Sequence, residues 1–176
     1  MKKTGLFFGS FNPIHVGHLI LAEYFATQTE LDEVWLVVTP QNPLKKKDSL
    51  LDQYLRLDLV QRAVADNPYL RASDVEFKLN KPSYTINTLV HLREQYPDRN
   101  FTLIMGEDNL VSFPRWKNHE QILLDFDVMV YPRVGQHPSE LAGHPRVQLV
   151  QAPVIEISSS QIRQYIKAGQ SVRYLL

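Results

Sequence analysis

The sequence predicts an α/β protein, a parallel β-sheet with helices on both faces. Three observations carry that prediction. Short, nearly continuous apolar runs at residues 5–8, 33–39, 101–105 and 126–131 read as strands buried on both faces. Segments with helical spacing separate them, so the two kinds of element alternate along the chain with no repeat and no linker composition. The polar motifs fall at strand carboxyl ends or at the helix starts that follow, where sheets of this kind bind ligands.

Taken in order, the first strand ends in the small-residue turn Gly9-Ser10, and residues 16–26 follow as a helix with Leu19, Ala22, Tyr24 and Phe25 among its apolar positions. Residues 33–39 form the second strand, stopped by Pro40. The polar, basic run 41–47 is a loop. Residues 50–65 carry an apolar stripe (51, 54, 55, 59, 60, 63 and 64) that predicts a helix with Asp48 or Ser49 as its N-cap and Pro68 beyond its end. A short strand is expected within 70–77 and a loop over 78–82. The helix that follows runs to about Tyr96, capped by Ser83 or Thr85. After the strand at 101–105, Ile122 to Leu124 close another helix and 126–131 form a further strand. Residues 136–145 are a loop with one helical turn around Glu140, its His137 and His144 exposed and without a role. Residues 147–150 are the last strand. Ser158 and Gln161 form a capping-box pattern, opening a helix that runs to about Ala168, with Gly169 as its stop.

At 176 residues the chain suits one domain with a substantial core, and 44% hydrophobic with 22% charged residues is ordinary for a globular protein. A formal net charge of zero gives no electrostatic case for a nucleic-acid partner. With no cysteine there is neither a disulfide nor thiol catalysis. No apolar run reaches membrane-spanning length, and Met1-Lys2-Lys3 leads straight into a strand rather than a signal peptide. The expectation is a cytoplasmic protein without a membrane partner; a homo-oligomer is compatible with all of this.

The chemistry concentrates in Gly9-Ser10-Phe11-Asn12-Pro13-Ile14-His15-Val16-Gly17-His18. A strand, a tight turn and a helix start put free backbone N–H groups and the positive end of a helix dipole at the sheet's carboxyl edge. His15 and His18, three residues apart, can point the same way. An ordinary βα turn with incidental histidines fits these facts. A zinc site fits poorly, because His-x-x-His lacks the Glu and the spacing of the zinc protease helix and there is no Cys. A phosphate site is the third reading: small residues admit backbone to the phosphates, and two imidazoles donate to phosphoryl oxygens.

This stretch closely resembles the Gly-Thr-Phe-Asp-Pro-Ile-His-x-Gly-His signature of the H-x-G-H nucleotidylyltransferase superfamily, with Ser10 and Asn12 in place of Thr and Asp. Ile157-Ser158-Ser159-Ser160-Gln161-Ile162-Arg163 resembles that superfamily's Ile-Ser-Ser-Thr-x-Ile-Arg motif. Ser83-Tyr84-Thr85-Ile86-Asn87-Thr88-Leu89 is similar to the helix start of bacterial nicotinate-nucleotide adenylyltransferases, with Asn87 in place of Asp. The resemblance spans residues 6–163 and implies a Rossmann-like doubly wound parallel sheet of the nucleotidylyltransferase type, residues 1–176 forming a single domain. Residues 172–176 look like the segment that in relatives precedes a Pro and a last short helix.

The resemblance also implies roles. His15, His18 and Arg163 are the expected catalytic residues. Gly9, Ser10, Phe11, His15, His18, Gly106, Asp108, Ser159, Ser160 and Arg163 are the expected ATP-binding residues, with Gly106 and Asp108 on the ribose. Asn42, Lys45, Tyr84, Thr85, Trp116, Lys117 and Arg133 are assigned to the nicotinate nucleotide, Trp116 stacking on the pyridine ring; Lys45 is also a candidate for the leaving pyrophosphate. The substrates would be ATP and nicotinate mononucleotide, with Mg2+ carried on the ATP and no dedicated metal ligands. In isolation several of these residues have plainer readings: Asp108 as the cap of a short helix, Trp116 as core, the basic loop as a solvated charge cluster. Within the superfamily the nearest alternative is pantetheine-phosphate adenylyltransferase, which usually has Thr where His15 stands and lacks the Ser-Tyr-Thr-Ile start; a cytidylyltransferase is a further one. A nucleotide-binding regulator without turnover is the alternative of another class, and it would bind ATP without releasing pyrophosphate.

Overall fold

The computed structural model describes residues 1–40 and 49–176. Strands β1 (Lys2–Gly9), β2 (Glu33–Val38), β3 (Leu70–Ser73), β4 (Arg99–Gly106), β5 (Asp127–Tyr131) and β6 (Val147–Leu149) form one sheet in the order β3-β2-β1-β4-β5-β6, every pairing parallel. The helices are α1 (Val16–Gln28), α2 (Gln53–Val64), α3 (Thr85–Gln95), α4 (Glu107–Ser112), α5 (His119–Asp125) and α6 (Ser159–Lys167). This is the doubly wound α/β sheet that the alternation predicts.

The strands read as unbroken apolar runs because both faces are covered. Phe7, Leu36, Ile104 and Met129 pack on one face with Ala22 and Phe25 of α1 and Val60 of α2. Leu6, Trp35, Leu103 and Val128 pack on the other with Leu89 of α3, Leu110 of α4 and Ile122 of α5. Chain order reverses between the paired strands β1 and β4, so the connections that leave them run to opposite faces of the sheet, α1 to one and α4 to the other, and leave a crevice beyond the strands' carboxyl ends. No helix among the described residues is long and apolar enough to cross a membrane.

Two expectations about the second helix need correction, and the third strand lies within its expected range. Helix α2 begins at Gln53, not near residue 50, and Asp52 caps it: Oδ1 accepts from Tyr54 N at 2.9 Å. Tertiary bonds hold the preceding residues out of the helix, since Asn12 Nδ2 donates to Ser49 O (2.7 Å) and Leu51 N donates to Asn12 Oδ1 (3.1 Å). The face that α2 buries is Arg56, Val60 and Val64, while Leu51, Tyr54, Leu55 and Leu59 of the apolar stripe are exposed. Strand β3 stops at Ser73, and a 3-10 turn over Val75–Lys78 buries Val75 and Glu76.

The last helix matches its reading. Ser158 Oγ accepts from Gln161 N at 3.2 Å, and Gly169 ends the helix at φ +69°. A 3-10 turn over Glu140–Gly143 is also where it was expected. His137 is exposed, but His144 is half-buried, its Nδ1 accepting from Arg146 N at 3.1 Å.

Candidate active site

The crevice at the β1–β4 switch is bordered first by the turn from Gly9 to His18. His15 is the N-cap of α1 and His18 its third residue, and together they form a reciprocal capping box. His15 Nδ1 accepts from Gly17 N (3.1 Å), and His18 Nδ1 accepts from His15 N (3.2 Å). Two imidazoles thus take the places usually held by Ser or Thr and by Glu or Gln. A nitrogen that accepts a backbone N–H carries no proton, so the ring proton of each imidazole sits on Nε2, where it is a donor. The rings stack at 3.8 Å between centroids, 29° between planes. Burial holds His15 well below the ordinary histidine range, at about 4, with the Arg133 charge adding to the effect. It is therefore neutral at physiological pH. Gly17 is required between the two: a Cβ there would lie 2.9 Å from His15 Cε1.

Phe11 turns its ring into the core. Its backbone is left-handed (φ +47°), and its ring is buried, edge-on to Phe7 and, at 5.0 Å, to His18. The ring supports the imidazole from behind, so any contact of Phe11 with a nucleotide would come from its main chain. Gly9 lies against that same ring, and the carbonyl of Ser10 accepts from Arg56.

Helix α6 meets the turn from the other end of the chain. Arg163 NH1 donates to Asn12 O (2.7 Å) and NH2 to Ser160 Oγ (3.2 Å); Ser159 Oγ donates to Pro13 O (2.8 Å). Arg163 is thus bonded to the turn that leads to the histidines, with Ser160 bonded to Arg163. The Ser159 hydroxyl spends its proton on the chain, so toward a phosphate its N–H at the helix start is the donor left.

At the carboxyl end of β4, Gly106 is the N-cap of α4, with no side-chain cap. Asp108 therefore does not cap that helix. It faces Arg133, which follows β5, at 3.4 Å (Nε to Oδ1), an ion pair without hydrogen-bond geometry. Arg133 N donates to Glu107 Oε2 at 2.9 Å.

The opposite sheet face supplies the remaining group. Helix α3 starts after Tyr84 with no side-chain cap, so neither Ser83 nor Thr85 does what its sequence position suggests. The Ser83 hydroxyl is buried and has no hydrogen-bond partner among the described residues. Lys117 Nζ lies 4.5 Å from the centroid of the Tyr84 ring, and half-buried Trp116 leans on Phe113, 5.1 Å between centroids. Tyr84, Trp116 and Lys117 are thus neighbours in space, with Thr85 as the first residue of the helix. Beneath them buried Glu76 accepts from Thr88 Oγ1 at 2.8 Å, and burial raises its carboxyl to about 7. Asn42 and Lys45 lie outside the described residues.

Two buried ionisable residues, Arg56 bonded to the Ser10 carbonyl and Glu76 bonded to Thr88 of α3, are absent from the sequence reading. For Arg56 a signal existed: it is spaced i, i+4 and i+8 with Val60 and Val64.

The arrangement is rich in donors on the α1 and α6 side and offers an uncapped helix start on the α3 side. The first suits a polyphosphate, the second a carboxylate. Among the described residues no group of three or more His, Asp or Glu side chains is set to hold a metal.

A cytidylyltransferase-like family model matches residues 6–165. A Cytophaga hutchinsonii protein named "Probable nicotinate-nucleotide adenylyltransferase" is 56% identical over 174 residues, covering 99% of this chain and 91% of its own. A Flavobacterium johnsoniae protein of the same name is 52% identical over 176 residues, with the same coverage of 99% and 91%. Among solved structures, Plasmodium falciparum nicotinic acid mononucleotide adenylyltransferase complexed with NaAD has a TM-score of 0.81 at 19% identity, over 98% of this chain and 87% of that one. At that identity the likeness is one of fold.

Proposed function

The chain belongs to the cytidylyltransferase-like family and, with its full-length relatives, to the nicotinate-nucleotide adenylyltransferases, and we propose that the crevice between β1 and β4 is where it transfers the adenylyl group of ATP to nicotinate mononucleotide. The products are nicotinate adenine dinucleotide and pyrophosphate, a late step of NAD biosynthesis. The observation that carries the assignment of the site is the pairing of a donor-only phosphate side with an uncapped, donor-presenting helix start across one crevice.

The substrate brings its own nucleophile. A phosphate oxygen of nicotinate mononucleotide attacks the α-phosphorus in line; the new P–O bond forms as the α–β bridging P–O bond breaks, and pyrophosphate leaves with the electron pair. Catalysis is then positioning and charge stabilisation. His15 and His18 donate through Nε2–H to the phosphates, and His15, which burial keeps neutral, needs no proton change near pH 7. Arg163, Ser160 and the first N–H groups of α6 steady the β- and γ-phosphates as they depart. Gly106 and Asp108 take the ribose, which requires Asp108 to exchange Arg133 for hydroxyls. Tyr84, Thr85 and the start of α3 take the nicotinate carboxylate, Trp116 the pyridine face, and Arg133, Lys117, Asn42 and Lys45 the nucleotide phosphate. Mg2+ would come with ATP and neutralise its phosphate charge; held by phosphate oxygens and water, it would ask no carboxylate cage of the protein, and the donor-only phosphate side fits that division of labour. Residues 1–176 act as one catalytic domain in the cytoplasm.

The test is pyrophosphate release from Mg-ATP with nicotinate mononucleotide, the nicotinamide form and phosphopantetheine in parallel. Release with the acid form, much slower with the amide, is expected, because helix N–H groups favour a carboxylate. Release with phosphopantetheine alone would discard the base site and keep the phosphate side. Mg-ATP binding without release in any arm would point to a non-catalytic binder.

A further inference from the structure

Arg56 stands on the core-facing side of α2 and is fully buried, with no carboxylate at ion-pair distance among the described residues. A buried charge is costly, and the position between the sheet and Val60 would suit a Leu or Met. Among the described residues its partners are four main-chain carbonyls. Nε donates to Leu51 O (2.7 Å), NH1 to Ser10 O (2.6 Å) and Thr39 O (2.8 Å), and NH2 to Pro40 O (3.1 Å). These carbonyls belong to three separate segments: the turn after β1, the end of β2, and the strap before α2. Asn12 links the first to the third a second time, through Ser49 O and Leu51 N, and Arg163 holds Asn12 O from the far side. One planar cation therefore sets the turn that leads to His15 and His18 relative to the end of the neighbouring strand.

We propose that Arg56 is a positioning residue for adenylyl transfer, its guanidinium fork holding the Ser10 carbonyl in register with Thr39, Pro40 and Leu51 so that the phosphate-binding turn keeps its geometry. This rests on the function proposed above. A fork bonds several carbonyls in fixed directions; an ammonium keeps the charge but not those directions.

The experiment compares wild type, Arg56→Lys and Arg56→Ala by steady-state kinetics with Mg-ATP and nicotinate mononucleotide, by thermal unfolding, and by calorimetric binding of Mg-ATP. Arg56→Lys is expected to remain folded yet to lose roughly 10²-fold in kcat/KM, mostly in kcat, the scale of a misplaced reacting group. In Arg56→Ala, ethylguanidinium at tens of millimolar should restore at least about ten-fold of the lost kcat by filling the vacated site, and ethylammonium should not. Wild-type kcat and KM values in Arg56→Lys would overturn the proposal. So would a loss in Arg56→Ala that merely follows its unfolded fraction and does not respond to ethylguanidinium. If Arg56→Ala does not fold, Arg56→Lys decides alone. A wild-type enzyme that transfers nothing to nicotinate mononucleotide would refute the parent reading instead; Arg56 is then judged by Mg-ATP affinity, expected to weaken about ten-fold in Arg56→Lys and to stay unchanged if the inference is wrong.

Discussion

On the α1 side of the crevice, the turn from Ser10 to His18 is held by Arg56, Arg163, Ser159 and the mutual capping of two imidazoles. On the α3 side, the helix start at Tyr84 has no side-chain cap, and the buried Ser83 hydroxyl beside it has no partner among the described residues. The first region is pre-organised, its donors fixed before any phosphate arrives, as stabilisation of developing charge requires. The second keeps polar groups unsatisfied among the described residues, so under the proposed function selectivity there would come from what is left unpaired when the wrong base binds. The two regions sit on opposite faces of one sheet and meet at its switch point, so chemistry and substrate choice can change separately.

The strongest way to break that division is to remove a phosphate-side donor. His18→Ala should lower kcat by roughly 10²–10³ with little change in the KM for nicotinate mononucleotide, measured by pyrophosphate release. A large KM change with an intact kcat would show that the histidine serves binding alone. Trp116→Ala should do the reverse, raising the KM for nicotinate mononucleotide by roughly ten-fold or more through lost stacking, with the KM for ATP unmoved. Parallel changes in both KM values would erase the distinction between the two sides.

A finer comparison uses stability. Ser159→Ala removes a bond to Pro13 O and should cost about 1 kcal/mol in urea unfolding of the unliganded protein, whereas Ser83→Ala, removing a hydroxyl without a partner, should cost close to nothing. Equal losses would mean that Ser83 is engaged in solution.

The effect of pH on stability has two opposed parts. His15, lowered to about 4, binds fewer protons folded than unfolded between pH 4 and 6.5, so it makes stability rise with pH across that window. Glu76, raised to about 7, binds more protons folded than unfolded between 4.5 and 7, so it makes stability fall as pH rises. The two slopes oppose one another where they overlap. Glu76→Gln should therefore show a steeper gain in stability from pH 4.5 to 6.5 than wild type, and His15→Asn a decline, both read from urea midpoints.

Local chemistry by itself determined much of this protein. Unbroken apolar runs dictate strands covered on both faces, and the alternation with helical segments dictates a parallel sheet. Ser158 with Gln161 opens α6 and Gly169 closes it, because caps act within a few residues. The H-x-G-H and Ser-Ser-Ser-x-Ile-Arg stretches pointed to a phosphate site for the same reason: turn and helix-start donors are local features. Tertiary structure alone decided the rest, through partners distant in the chain. The Asn12 side chain holds residues 49–51 out of α2, which moves the cap to Asp52. An arginine took a core position because carbonyls from three remote segments could satisfy it, which no hydrophobic pattern encodes. Whether Ser83 capped α3 and whether the Phe11 ring met solvent or core were likewise settled by packing. A propensity describes what a segment can do alone, and these residues answer to neighbours that only the folded chain supplies.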